Sequence, residues 1–290
     1  MGERSMWYDT VSLQVDYAKA GAQGPEFGAT MQTYLLSPSD EMPYNAVRPA
    51  VLICPGGAYR FRSDREAEPI AMRFLAAGYH AIVVNYSVAP QQYPCAALEL
   101  AAAVRATRRN AKEWGVDPNA IYICGFSAGG HLCATLGALW DEPLFHDVLG
   151  GEPDWKPDGM ILCYPVITMG PYTHEESRDL LTGGRPELID ELSLEKRVSK
   201  KTVPAFIWHT FADTAVPLEN TLQLVCAMRK AGVPFELHVY ENGVHGLSLC
   251  SAVTGGTPEL IVPDNQSWMD LALRWLERRS GRCPETPAGD

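Results

Sequence analysis

Apolar residues cluster in short runs at 50–54, 80–86, 121–124, 159–163 and 204–209, with turn-forming residues between them. Runs of this length with little polar alternation predict strands buried on both faces of a parallel sheet. A further strand is expected at 235–240. Two earlier runs, 11–15 and 31–36, alternate polar and apolar residues, which suits half-exposed antiparallel strands at one sheet edge. Between the runs the apolar period changes to that of a helix. Ala97, Leu100, Ala101, Val104, Ala111 and Trp114 mark the face of one long helix; Leu218, Leu222, Val225 and Met228 mark another. Trp268, Leu271, Ala272 and Trp275 mark a closing helix, and residues 128–140 form an Ala/Leu-rich helical run. Ser63-Asp64-Arg65-Glu66 has the form of a capping box, opening a helix through Leu75 with Pro69 inside it. Asp117-Pro118-Asn119 predicts a turn.

Strand and helix alternating at this spacing imply an α/β, doubly wound, mostly parallel eight-stranded sheet with helices on both faces. Residues 168–202 break the pattern: they are polar, contain Thr182-Gly183-Gly184-Arg185, and hold only short helical pieces. A small cap-like insertion over the strand ends is expected there. The expected organisation is one domain over 1–280 and a disordered tail at 281–290.

Composition narrows the partners. The formal charge of −11 argues against nucleic-acid phosphates or an anionic membrane surface as partners, since both require clustered cations. Arg105, Arg108, Arg109 and Lys112 recur at helical spacing and suggest one solvated helix face. No apolar run approaches the ~20 residues of a spanning helix. The first residues carry no apolar signal core, so a cytoplasmic location is expected. Eight cysteines occur without a C-x-x-C pair, which predicts buried free thiols and neither metal nor cofactor.

The candidate chemistry starts at Gly125-Phe126-Ser127-Ala128-Gly129, which follows a strand-like run and precedes a helical one. This fits the G-x-S-x-G elbow, in which a serine stands on a sharp strand-to-helix turn. A serine hydroxyl needs a base, and the base needs an acid that fixes its tautomer. Asp213 follows the strand ending at His209, and His245 follows the strand ending at Tyr240, so both fall at the same end of the sheet as Ser127. Glu241 is the alternative acid, but it stands only four residues before His245. His209 is the competing base, placed before Asp213 and better suited to supporting the acid loop. His131, one turn into the helix after the elbow, suits a structural hydrogen bond. Oxyanion donors are expected from the N–H of Ala128 and from the Gly56-Gly57-Ala58 turn, Gly57 and Ala58 in particular.

These residues resemble the α/β-hydrolase superfamily. Within it, the chain resembles bacterial acetylesterases and acetyl xylan esterase-like enzymes, including bifunctional acetyl/feruloyl carbohydrate esterases. Pro55-Gly56-Gly57-Ala58-Tyr59, the run from Ser63 to Pro69, Asn85-Tyr86, Gly125 to His131, Tyr164-Pro165-Val166-Ile167, Trp208-His209-Thr210 with Asp213, and His245-Gly246-Leu247-Ser248 carry the resemblance. Pro55 and Ala58 depart from the related H-G-G-G turn. The resemblance implies a small-molecule ester substrate such as an acetylated xylo-oligosaccharide and an acetyl-sized pocket walled by Tyr59 and Tyr164. Feruloyl esters and amides are the alternative substrates, and a homo-oligomer is compatible with it.

Overall fold

The structure, a computed structural model, describes residues 6–282. Most of the tail expected at 281–290 therefore lies outside the described residues. The chain begins with strand β1 (Trp7–Ser12), antiparallel to β2 (Thr30–Leu35). β1 is largely exposed and begins before the 11–15 run expected from the sequence. Next come β3 (Arg48–Cys54), helix α1 (Glu68–Ala76) and β4 (His80–Asn85). The expected long helix is two, α2 (Cys95–Arg109) and α3 (Ala111–Trp114), parted at Asn110, whose side chain donates back to the Ala106 carbonyl at 2.8 Å. β5 (Val116–Phe126) takes in the expected turn, with Asp117 accepting from the Asn119 N–H, as a register shift against β3.

The second half holds α4 (Ala128–Leu139), α5 (Pro143–Leu149) and β6 (Gly159–Cys163). After it come α6 (Glu175–Thr182), α7 (Glu187–Glu191), β7 (Ala205–Thr210), α8 (Glu219–Ala231), β8 (Phe235–Tyr240) and α9 (Ser267–Arg279). The strands form one sheet in the order β1-β2-β4-β3-β5-β6-β7-β8, parallel from β4 to β8. The eight-stranded doubly wound sheet expected from the sequence is the one observed.

The apolar runs are continuous because alternate side chains enter different cores. Ala50, Leu52, Ile121, Ile123, Met160, Leu162, Ala205 and Ile207 pack under α2, α4 and α8. Val51, Ile53, Tyr122, Cys124, Ile161, Cys163, Phe206 and Trp208 pack under α1 and α9. Strand order reverses direction between β3 and β5, so the crevice at the carboxyl ends of these two strands is where such sheets accept ligands. Leu181, Leu188, Leu192 and Leu194, from the segment expected as an insertion, join the core on the α4 face. Among the described residues no helix is long and apolar enough to cross a membrane.

Two further sequence expectations change. Arg105 is not solvated: it stacks on Trp155, pairs with Asp154 at 2.6 Å and donates to the carbonyls of Leu149 and Gly150. Arg108 joins it through Asp158, so this helix face clamps the loop before β6. Ser63-Asp64-Arg65-Glu66 is not a capping box, since the Ser63 side chain caps nothing and Glu66 is buried. The helix starts afterwards, with Pro69 in its first turn, where a missing N–H costs nothing.

Candidate active site

The turn between β5 and α4 is too crowded for side chains at its glycines. A Cβ on Gly125 would lie 2.1 Å from the Gly129 carbonyl oxygen, and one on Gly129 would lie 2.1 Å from the Cys54 carbonyl oxygen. This packing forces Ser127 to φ 52°, a left-handed backbone that non-glycine residues rarely adopt. The strained serine is held by three backbone bonds. Its N–H donates to the Cys163 carbonyl, and its own carbonyl accepts from Val166 and His131.

Ser127 Oγ lies 2.7 Å from His245 Nε2, and His245 Nδ1 lies 2.7 Å from Asp213 Oδ2. The loops after β5, β7 and β8 thus bring the three sequence candidates into one hydrogen-bonded chain. Asp213 is buried, and its Oδ1 accepts the N–H groups of Ala215 and Val216 at 3.0 Å each. Burial pushes its carboxyl up, but hydrogen bonds from His209 and His245, the His245 charge and the Val216 N–H outweigh burial. The group therefore sits well below the usual carboxylate range. An acid held ionised beside a histidine fixes the Nδ1–H tautomer, which leaves Nε2 free to accept the serine proton. His209 supports the acid loop as expected, lying 3.3 Å from Asp213 Oδ2 and 2.9 Å from the Val216 carbonyl. Asp213, not Glu241, is the carboxylate that meets His245 Nδ1.

His131 also meets its expectation. It is wholly buried between the Tyr59 hydroxyl at Nδ1 and the Leu192 carbonyl at Nε2. Burial holds its pKa down to about 4.

The glycine turn faces the serine. A Cβ on Gly56 would meet Ser127 Cβ at 3.0 Å, and Gly57 has φ 126° with the Phe61 carbonyl 2.2 Å from where its Cβ would stand. The Gly56 N–H donates to Glu66 Oε2 at 2.8 Å. Those of Gly57 and Ala58 have no acceptor among the described residues. Ala128 is the first residue of α4, where N–H groups have no partner within the helix. The arrangement can attack an acyl carbon and hold an oxyanion.

Tyr59 and Tyr164 are not the pocket walls expected of them. Both are buried, at 2% and 1% exposure, and their hydroxyls are engaged. Tyr59 bonds to His131. Tyr164 donates to Glu66 Oε1 at 2.6 Å and accepts from the Ser248 N–H at 2.8 Å, with its ring edge against His245. Left-handed backbone at Tyr59 (φ 58°) and Tyr164 (φ 36°) accompanies this burial.

Two participants escaped the sequence reading. Glu66 is one; its only signal lay in the Ser63 to Pro69 run that carried part of the resemblance. Asn220 is the other. Its amide accepts from Ile167 and Thr168 and donates to the carbonyls of Tyr172 and Pro217, tying α8 to the segment after β6. Arg60, just past the glycine turn, pairs with Glu176 of α6 at 3.0 Å. Beside the turn lies a groove of about 460 Å³, lined by Pro55, Arg60, Phe61, Asp64 and Asn85 among others.

The family model BD-FAE matches residues 39–228. The endo-1,4-beta-xylanase B of Butyrivibrio fibrisolvens is 38% identical over 70% of this chain and 33% of its own length. The acetylxylan esterase of Xylanibacter ruminicola is 32% identical over 71% of this chain and 42% of its own length. The chain thus spans less than half the length of either curated relative. Among solved structures, an acetyl ester-xyloside bifunctional hydrolase from Caldicellulosiruptor lactoaceticus aligns with TM-score 0.79 and 33% identity, covering 96% of this chain and 97% of that one. The carboxylesterase Cest-2923 of Lactobacillus plantarum aligns with TM-score 0.79 and 29% identity, covering 99% and 100%.

Proposed function

Because this chain belongs to the BD-FAE family and has the α/β-hydrolase fold, we propose that it is a serine carboxylesterase that removes acetyl groups from small carbohydrate esters. Acetylated xylo-oligosaccharides are the substrates we favour. The observation that carries the reading is the Ser127, His245 and Asp213 chain, with both links at 2.7 Å. In this reading Ser127 Oγ attacks the acetyl carbonyl while His245 Nε2 takes its proton. The oxyanion is received by the N–H groups of Ala128, Gly57 and Ala58. His245 then returns the proton to the departing sugar hydroxyl, and water, activated by the same histidine, releases acetate from Ser127. The Arg60–Glu176 pair ties residues 168–202 to the segment just past the glycine turn, which supports a role for residues 168–202 in bordering the site.

Hydrolysis of p-nitrophenyl esters of rising chain length, beside acetylated xylo-oligosaccharides, feruloyl esters and N-formylkynurenine, tests the proposal. We expect turnover that falls steeply from acetyl to butyryl and vanishes in Ser127→Ala. An absence of ester turnover, or an active Ser127→Ala, would sink it. Preference for the feruloyl or formamide substrate would move the activity to that class.

A further inference from the structure

We propose that Glu66 and Tyr164 are positioning residues that couple the glycine turn to the histidine loop, so that oxyanion donors and base are held as one unit. This rests on the esterase reading. The turn follows β3 and the histidine loop follows β8, and β5, β6 and β7 separate these strands in the sheet. β3 and β8 do not pair directly, and side chains bridge the two halves of the site.

The Gly56 N–H donates to Glu66 Oε2 at 2.8 Å, the Tyr164 hydroxyl donates to Glu66 Oε1 at 2.6 Å, and the Ser248 N–H donates to that hydroxyl at 2.8 Å. A phenol has one proton, so a hydroxyl that accepts from Ser248 gives its own to Glu66. Glu66 therefore receives two donors, one from each half of the site, which is the pattern of an ionised carboxylate. Burial pushes the Glu66 carboxyl up, so the buried charge is sustained by these donors. Its neighbour grips the same loop. The Arg65 guanidinium donates to the carbonyls of Gly246, at 2.9 Å, and Thr254, while its own carbonyl accepts from Ser248 Oγ at 2.6 Å.

The brace leaves little slack where it meets the nucleophile. A Cβ on Gly56 would lie 2.7 Å from Glu66 Oε2 and 3.0 Å from Ser127 Cβ, so a shift of the carboxylate moves the turn relative to the serine. At the other end the Tyr164 ring meets the His245 ring edge-on, 5.1 Å between centroids. Glu66 and Tyr164 act on the reacting groups through Gly56 and Ser248. Glu66→Gln replaces one acceptor oxygen by a donor, so one of the two incoming bonds must break. Tyr164→Phe removes the single oxygen through which Ser248 reaches Glu66.

The test is a double-mutant cycle of Glu66→Gln and Tyr164→Phe. It is read as kcat and KM on p-nitrophenyl acetate, with competent serines counted by a fluorophosphonate probe. We expect each variant to lower kcat about tenfold, a fraction of the 10²–10³ lost with an oxyanion donor itself. KM should stay near wild type, and the double variant should lose no more than the worse single. Unchanged kcat per competent serine, or losses that multiply, overturns the proposal. So does a loss that disappears once the competent fraction is counted. If Glu66→Gln does not fold, the one-atom change Tyr164→Phe carries the kcat and KM test alone. Wild-type turnover and its loss in Ser127→Ala are measured first. An inactive wild type fails the esterase reading and the brace with it, whereas an active wild type with unaffected variants fails the brace alone.

Discussion

Replacing Asp213 by Asn should separate the geometry of the site from its proton chemistry. Two oxygens of Asp213 do different work: Oδ1 accepts from the Ala215 and Val216 N–H groups, and Oδ2 accepts from His245 at 2.7 Å and from His209 at 3.3 Å. An asparagine keeps one oxygen, and two backbone donors at 3.0 Å compete for it against His245 and His209, of which His209 is already served at 2.9 Å by the Val216 carbonyl. The amide oxygen should therefore take the Oδ1 position and turn its NH₂ toward His245 Nδ1. Facing a donor, Nδ1 becomes the acceptor and the ring proton moves to Nε2, where it points at Ser127 Oγ. The histidine is then in the wrong tautomer to accept the serine proton. The expected loss in kcat is about 10⁴-fold, or about 5.5 kcal/mol of transition-state stabilisation. The loop stays in place because both backbone bonds survive, so stability should fall by only about 1–3 kcal/mol, the worth of the charge-assisted bond to His245. Steady-state kinetics on p-nitrophenyl acetate, with a thermal melt to confirm folding, measure both quantities. A folded D213N variant within tenfold of wild-type kcat would refute the tautomer argument and direct attention to Glu241.

Gly129→Ala should destabilise the fold by at least ~2 kcal/mol, because its Cβ would stand 2.1 Å from the Cys54 carbonyl oxygen and must push α4 off β3. Gly256→Ala, with nothing within 4 Å of its Cβ, should be neutral, and equal urea midpoints for the two would contradict the crowding argument. Acid should weaken the fold between about pH 6.5 and 4. Burial holds His80 and His131 down to about 4, so over that window the unfolded chain binds protons that the folded chain refuses. Their contribution is complete above pH 6.5 and lost as pH falls toward 4, roughly 3 kcal/mol for each. Glu66 and Glu99, raised by burial, act in the opposite sense. The histidine share is therefore read from urea midpoints as the difference between wild type and His80→Gln, and identical slopes would disprove it.

The central strands were legible because each is buried on both faces, which writes an uninterrupted apolar run into the sequence. β1 was not placed correctly, since an exposed edge strand such as Trp7–Ser12 has no buried face to set its frame. The positions of Ser127, Asp213 and His245 could be anticipated because each stands just past a strand end, a place fixed by topology. Glu66 could not. Its local signature is that of a capping box, and its true partners, Gly56 and Tyr164, are brought to it by tertiary packing. The family resemblance implied pocket walls at Tyr59 and Tyr164, and only their burial and the partners of their hydroxyls reveal that the rings turn inward to the core. Charges at helical spacing suggest solvent, and only the packing of the loop around Asp154 and Trp155 shows that Arg105 is covered.

Ala58, Tyr59, Ser127, Tyr164 and Ser248 all have side chains yet hold left-handed backbone, and all five belong to the glycine turn, the elbow or the segments that meet them. Each such residue carries strain on the order of 1–3 kcal/mol that glycine would relieve. Random substitution screened for thermal tolerance alone would drift toward glycine at these positions, gaining backbone comfort while erasing the proposed nucleophile, the phenol bridge or a wall of the turn. The strained backbone therefore maps where improvement of this protein as a material and its usefulness as a catalyst part company. Engineering for heat resistance has its free ground elsewhere, in the exposed edge strand and the helices far from the elbow.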